Sequence, residues 1–150
     1  MKKGANILLI YTGGTIGMIK DFETGALKAF NFDELLQNIP ELKLLEHTID
    51  TVTFEEPIDS SNMNPKYWVD MAEIIENNYD NYDGFVVLHG SDTMSYSASA
   101  LSFMFENLAK PIIFTGIYPS INYSYKDLKS AIEKLNLSDS SLVWEKEISS

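Results

Sequence analysis

Four short apolar runs stand apart along the chain: Ile7-Leu8-Leu9-Ile10-Tyr11, residues 49–54, Phe85-Val86-Val87-Leu88 and Ile112-Ile113-Phe114. The first, third and fourth are apolar without interruption, the pattern of strands covered on both faces. The second sets Ile49, Val52 and Phe54 among Thr and Asp, as an edge or half-covered strand does. Helical patterns fill the gaps. Asn31 with Glu34 three residues on is a capping pair for a helix over 32–38, which Pro40 ends. Asn64-Pro65 sets a cap before a proline in the first turn of a helix over 65–79, whose stripe is Trp68, Met71, Ala72, Ile75 and Tyr79. Residues 93–107 form a helix apolar on most sides, as expected for one wedged between the sheet and a neighbour. Ser124 with Asp127 opens a last helix striped by Leu128, Ala131, Ile132 and Leu135. The tail has little periodicity, although Leu142-Val143-Trp144 fits a short docked strand.

This β-α alternation predicts an α/β fold, because parallel strands need a helix-length return between them. The expected architecture is an open parallel sheet flanked by helices, Rossmann-like or flavodoxin-like, in a single domain over residues 1–150. A length of 150 residues and 45% hydrophobic content provide a core and exclude a disordered or collagen-like chain. The start, Met1-Lys2-Lys3 and a short apolar stretch, runs into Thr12-Gly13-Gly14 instead of a small-residue cleavage pattern, so it reads as a buried strand and not an export signal. No apolar run reaches the roughly 18 residues that cross a bilayer, so no membrane partner is expected.

Charge narrows the partners. The 22 acidic residues outnumber 11 basic ones, all Lys, for a net charge of −11. Nucleic-acid binding rests on clustered positive charge, so it is not expected. The chain has no Cys, hence no disulfide, thiol nucleophile or thiolate metal site, which suits a cytoplasmic setting.

In open parallel sheets, ligands bind beyond the carboxyl ends of the strands. Three such ends here are rich in hydroxyls: Thr12-Gly13-Gly14-Thr15-Ile16-Gly17, Asp59-Ser60-Ser61-Asn62-Met63 and His89-Gly90-Ser91-Asp92-Thr93-Met94. Converging, they would gather Thr15, Ser60, Ser61, Ser91 and Asp92 around one pocket, with backbone N–H groups near Gly14 facing a carboxylate or oxyanion. Each feature also has a plain structural reading. The glycine loop can be a tight turn, and it lacks the G-x-G-x-x-G of dinucleotide sites and the G-K-[ST] of phosphate loops. Ser91 and Asp92 can cap the following helix, Ser60 and Ser61 can be turn residues, His89 a packed histidine and His47 a surface one. Two distant histidines support neither a Ser-His-Asp triad nor a zinc site.

Together the loops resemble the L-asparaginase family, in its cytoplasmic type I branch, over residues 6–116. Thr12-Gly13-Gly14-Thr15-Ile16-Gly17-Met18 is similar to the family's first signature, residues 82–94 to its second, and Asp59-Ser60-Ser61-Asn62-Met63 to the substrate-binding segment between them. The resemblance implies hydrolysis of L-asparagine to L-aspartate and ammonia, with no cofactor or metal. It implies that Thr15 attacks the amide carbon, Ser60 and Ser61 hold the α-carboxylate, and Asp92 takes the α-amino group. Ser91 falls where the family has a second threonine, in a triad with a lysine and that aspartate.

Beyond Gly116 the likeness decays into a divergent helix and tail over 117–150. Ile117-Tyr118-Pro119-Ser120-Ile121 replaces the family's Ser-Gln-x-Pro stretch, and Lys126 and Lys129 fit a helix face better than the position of the triad lysine. The family's lysine and second domain come later than Ser150. The expectation is therefore a truncated or split enzyme, weak or inactive alone, with self-association as in the family. The alternative is a non-catalytic amino-acid-binding or partner subunit. The related subunit of the tRNA-dependent amidotransferases shares these loops, but the charge of −11 and the absence of Arg argue against a tRNA partner.

Overall fold

The computed structural model describes residues 4–13, 18–20, 27–29, 47–116 and 142–145. In chain order its strands are β1 (Asn6–Tyr11), β2 (Met18–Lys20), β3 (Leu27–Ala29), β4 (Thr48–Thr53), β5 (Gly84–Leu88), β6 (Ile112–Thr115) and β7 (Leu142–Glu145). Its described α-helices are α1 (Pro65–Asn78) and α2 (Met94–Met104). Five strands form one sheet in the order β4-β1-β5-β6-β7, every neighbouring pair parallel. This is the expected open α/β architecture.

Burial follows position in the sheet. β1 lies between β4 and β5, with Ile7 level with Ile49 on one side and Gly84 on the other. Its residues Ile7–Tyr11 are all 1% exposed or less, as an uninterrupted apolar run between two layers requires. β4 ends the order and mixes half-buried with exposed positions, as its mixed sequence predicts. β7 confirms the docked strand read from Leu142-Val143-Trp144 and extends the sheet beyond β6.

Asn64 caps α1, its side-chain oxygen accepting the Lys66 N–H at 3.0 Å, and Pro65 fills the first turn. Met71 and Ile75 of α1 and Met94, Ala98 and Leu101 of α2 pack with Leu8, Ile10, Phe85, Val87, Ile112 and Phe114 into one core. The Trp68 indole N–H donates to the Ser97 hydroxyl at 3.0 Å, so the two helices share a hydrogen bond beside that core.

Three features depart from the sequence reading. α2 stops at Met104, short of 107, because Phe105 turns extended (φ −96°, ψ 127°) and packs against the core. Asn107 then takes a left-handed backbone, φ 55°. An antiparallel pair, β2 with β3, sits apart from the main sheet where no strand is predicted. His47 is half-buried, and its Nδ1 accepts the Ala5 N–H at 3.0 Å. The helices predicted over 32–38 and after Ser124 lie outside the described residues. Among the described residues no helix is long and apolar enough to cross a membrane.

Candidate active site

Backbone hydrogen bonds stitch the carboxyl ends of the strands together. Thr12 donates both its N–H (3.1 Å) and its hydroxyl (3.0 Å) to the Leu88 carbonyl. The Thr12 carbonyl accepts the Ile58 N–H at 2.8 Å, and the Thr115 carbonyl accepts the His89 N–H at 3.0 Å. The segments leaving β1, β4 and β5 are thus held side by side, with β6 tied to β5, at the edge where open parallel sheets bind ligands.

Residues Ser60–Asn62 form a short 3-10 turn capped by Asp59. The Asp59 carboxylate accepts the Ser61 N–H at 3.0 Å and the Ser61 hydroxyl at 2.8 Å, and these bonds hold its pKa below the usual carboxylate value. Ser60 faces the other way. It is 3% exposed, and its hydroxyl donates to Asp92 Oδ2 at 2.9 Å. Thr93 donates its hydroxyl to the Ser60 carbonyl at 2.7 Å. Gly90 makes the approach feasible, since a Cβ there would lie 2.3 Å from Ser60 Oγ.

Ser60 and Asp92, 32 residues apart, therefore meet. Ser61 lies beside them in the chain, but its hydroxyl is engaged by Asp59 within its own turn. Ser91 is half-buried on the loop that carries Asp92. Gly14 and Thr15 lie outside the described residues, next to Gly13, which packs against the Ile58 backbone. The capping alternative for Ser91 and Asp92 is not what the structure shows. Thr93 is the N-cap of α2, without a side-chain capping bond, and Asp92 accepts from Ser60. Asp59, Gly90 and Thr93 stand outside the anticipated site. Asp59 carries a local signal, an acidic residue two before a turn N–H, and Gly90 one for a turn but not for the contact with Ser60.

His89 is the packed histidine of the plainer reading. It is 2% exposed, its ring centroid is 5.9 Å from that of Phe114, and Nδ1 lies 2.7 Å from the Gly90 carbonyl. A carbonyl only accepts, so Nδ1 carries the hydrogen and the neutral ring leaves Nε2 as an acceptor. Nε2 is buried and has no hydrogen-bond partner among the described residues. Burial lowers the pKa below 6.5, against a smaller opposing effect of the Gly90 bond. The unfolded chain then binds this proton more readily, so stability falls as pH drops below about 6.5. His89→Asn, which keeps a donor near the Nδ1 position, is expected to flatten the decline in melting temperature between pH 7.5 and 5.5. An unchanged slope would show that His89 does not control it.

Among the described residues no three His, Asp or Glu side chains converge as a metal-binding set. Two surface cavities, one beside β4 and α1 and one near the ends of the two helices, are lined by neither Ser60 nor Asp92.

These features define an open parallel α/β domain with a hydroxyl–carboxylate pair at the carboxyl edge of its sheet. The family described as "Asparaginase, N-terminal" matches residues 6–143, and the chain belongs to the asparaginase family. The match continues past Gly116, where the motif likeness ends. The chain is similar to L-asparaginase 1 of Escherichia coli strain K12, 47% identical over 112 residues that cover 74% of this chain and 33% of that protein. It is 41% identical over 128 residues to a glutamyl-tRNA(Gln) amidotransferase subunit of Thermoplasma volcanium, covering 85% of this chain and 31% of that one. The crystal structure of L-asparaginase I from Vibrio cholerae O1 biovar eltor matches with a TM-score of 0.85 and 38% identity, over 95% of this chain and 44% of the other. The chain thus spans about a third of the length of these curated relatives.

Proposed function

We propose that the chain carries the substrate grip and nucleophile of an amidohydrolase that converts L-asparagine to L-aspartate and ammonia. The observation that carries this reading is the 2.9 Å contact between Ser60 and Asp92. An α-amino acid carries a carboxylate and an ammonium on one carbon, so its receptor needs a donor and an anionic acceptor at close range. Ser60 and Asp92 are such a pair. In this reading Ser60 holds the α-carboxylate, Asp92 holds the α-amino group and the Thr15 hydroxyl attacks the amide carbon, while Ser61 joins Ser60 on the carboxylate only by releasing its bond to Asp59. The same reading assigns stabilisation of the developing oxyanion to backbone N–H groups of the Gly14 loop. Ser91 stands at the position of the second family threonine and supplies a hydroxyl for proton transfer. A hydroxyl nucleophile is weak until a base takes its proton, so turnover depends on that activation. No cofactor enters. The reading includes a cytoplasmic setting and self-association, in line with the cysteine-free sequence and the family.

The second reading is a non-catalytic amino-acid-binding or partner subunit derived from an asparaginase; the 41% identity to an amidotransferase subunit shows that a relative works as part of an assembly. Calorimetry with L-aspartate and ammonia release from L-asparagine test both on the purified chain. Binding with release of ammonia supports the hydrolase. Binding without release is expected both of the non-catalytic subunit and of a hydrolase domain inactive on its own, and supports the amino-acid site in either case. Absence of both overturns the amino-acid site.

A further inference from the structure

We infer that Thr93 is a positioning residue: its hydroxyl, bonded to the Ser60 carbonyl, holds the Ser60 turn in place while the Ser60 side chain changes partner from Asp92 to the carboxylate of a bound α-amino acid. The inference rests on the amino-acid reading of Ser60 and Asp92 and assigns to that site a residue outside its direct contacts.

The first reason is where the Thr93 hydroxyl goes. An N-cap threonine ordinarily turns its oxygen onto an N–H of its own helix. Thr93 has φ −122° and ψ 12°, makes no side-chain capping bond to α2, and donates across 33 residues to Ser60 at 2.7 Å. The loop that supplies Asp92 therefore grips the backbone of the residue whose side chain grips Asp92.

The second reason is hydrogen counting. A serine hydroxyl has one hydrogen to donate. In the structure the Ser60 hydroxyl donates that hydrogen to Asp92 Oδ2. A bound amino acid presents a carboxylate that takes the hydrogen and an ammonium that replaces it on Asp92. The side-chain link between the two segments is then broken, whereas the Thr93 bond to the Ser60 carbonyl uses different atoms and persists. That carbonyl also accepts the Met63 N–H at 3.2 Å, closing the 3-10 turn, so one acceptor ties the turn to itself and to the Asp92 loop.

The third reason is the tight fit at Gly90. A Cβ there would sit 2.3 Å from Ser60 Oγ and 2.5 Å from Ser60 Cβ. The two segments touch where Ser60 must turn, so a small shift of its backbone changes the reach of its hydroxyl.

Thr93→Val removes the donor and keeps the shape, and Thr93→Ser restores the donor without the methyl. Two readouts on the whole chain decide the matter. In the ligand-free protein, amide hydrogen exchange at Asn62 and Met63 is expected to speed up at least tenfold in Thr93→Val and to stay within threefold of wild type in Thr93→Ser. In calorimetry, L-aspartate affinity is expected to fall about tenfold in Thr93→Val and to return in Thr93→Ser. Unchanged exchange in Thr93→Val overturns the inference, as does a Thr93→Ser variant as impaired as Thr93→Val, which would assign the effect to the methyl group. Should Thr93→Val fail to fold, Thr93→Ala is read in the same way. A wild-type chain that does not bind L-aspartate sinks the amino-acid reading, and the exchange data then still show whether Thr93 holds the turn.

Discussion

Gly13→Ala is expected to lower the melting temperature by about 10 °C or to prevent folding. The backbone at Gly13 has φ +140°, a conformation L side chains rarely adopt. A Cβ there would lie 2.2 Å from the Ile58 carbonyl oxygen and 2.3 Å from the Ile58 nitrogen. Both are main-chain atoms, so no rotamer change relieves the clash. The Ile58 N–H is also bonded to the Thr12 carbonyl, so moving Ile58 away breaks the tie between the segments leaving β1 and β4. Backbone strain of about 1–3 kcal/mol and a lost buried hydrogen bond of about 1 kcal/mol together make roughly 3 kcal/mol. Two other glycines calibrate this expectation. At Gly116 the nearest atom would be 3.1 Å away, so Gly116→Ala is expected to cost much less. At Gly90 the clash is with the Ser60 side chain, so Gly90→Ala is expected to impair ligand binding more than stability. Thermal denaturation ranks the three, and a Gly13→Ala variant melting within 2 °C of wild type would refute the close approach of these two segments.

The contrast among these glycines shows which parts of the molecule can be read from sequence. Gly13 and Gly90 both follow apolar runs, and their position alone predicts tight turns. Gly90 is nonetheless required by a side chain 30 residues earlier, which no local pattern reveals. The sheet was legible because burial on both faces leaves uninterrupted apolar runs, and the edge position of β4 because its run is mixed. The β2–β3 pair escaped because strands of three residues are too short to show a period. The end of α2 was hidden by Phe105, which is apolar and packs against the core without being helical. In the site, the pairing of Ser60 with Asp92 was accessible through the expected convergence of loops and the family likeness. The opposite orientations of Ser60 and Ser61 were not. Adjacent serines look alike in sequence, and only the Asp59 cap on one side and Asp92 on the other tell them apart. The turn reading and the site reading of Ser60 are compatible, since the 3-10 turn is what aims it.

Asp92→Asn is expected to reduce L-aspartate affinity about 100-fold with the melting temperature unchanged within 2–3 °C. The amide has the size of the carboxylate, and its carbonyl oxygen can still accept the Ser60 hydroxyl, so the ligand-free pairing survives. The loss is the negative charge opposite the ammonium of the ligand. Hydrogen bonds to charged groups are worth about 1.5–3 kcal/mol, or roughly tenfold to 150-fold in affinity. Any ammonia release from L-asparagine should fall at least as far, because the amino group orients the substrate. A general loss of site integrity would weaken every ligand alike, so succinate, which lacks the α-amino group, gives the sharper comparison. Its carboxylates meet the Asp92 charge as a repulsion, and Asp92→Asn is expected to leave succinate binding unchanged or make it tighter. Opposite responses of the two ligands would assign the amino group to Asp92. Parallel losses would mean that Asp92 acts only through the placement of Ser60, and calorimetry on one variant with two ligands distinguishes these results.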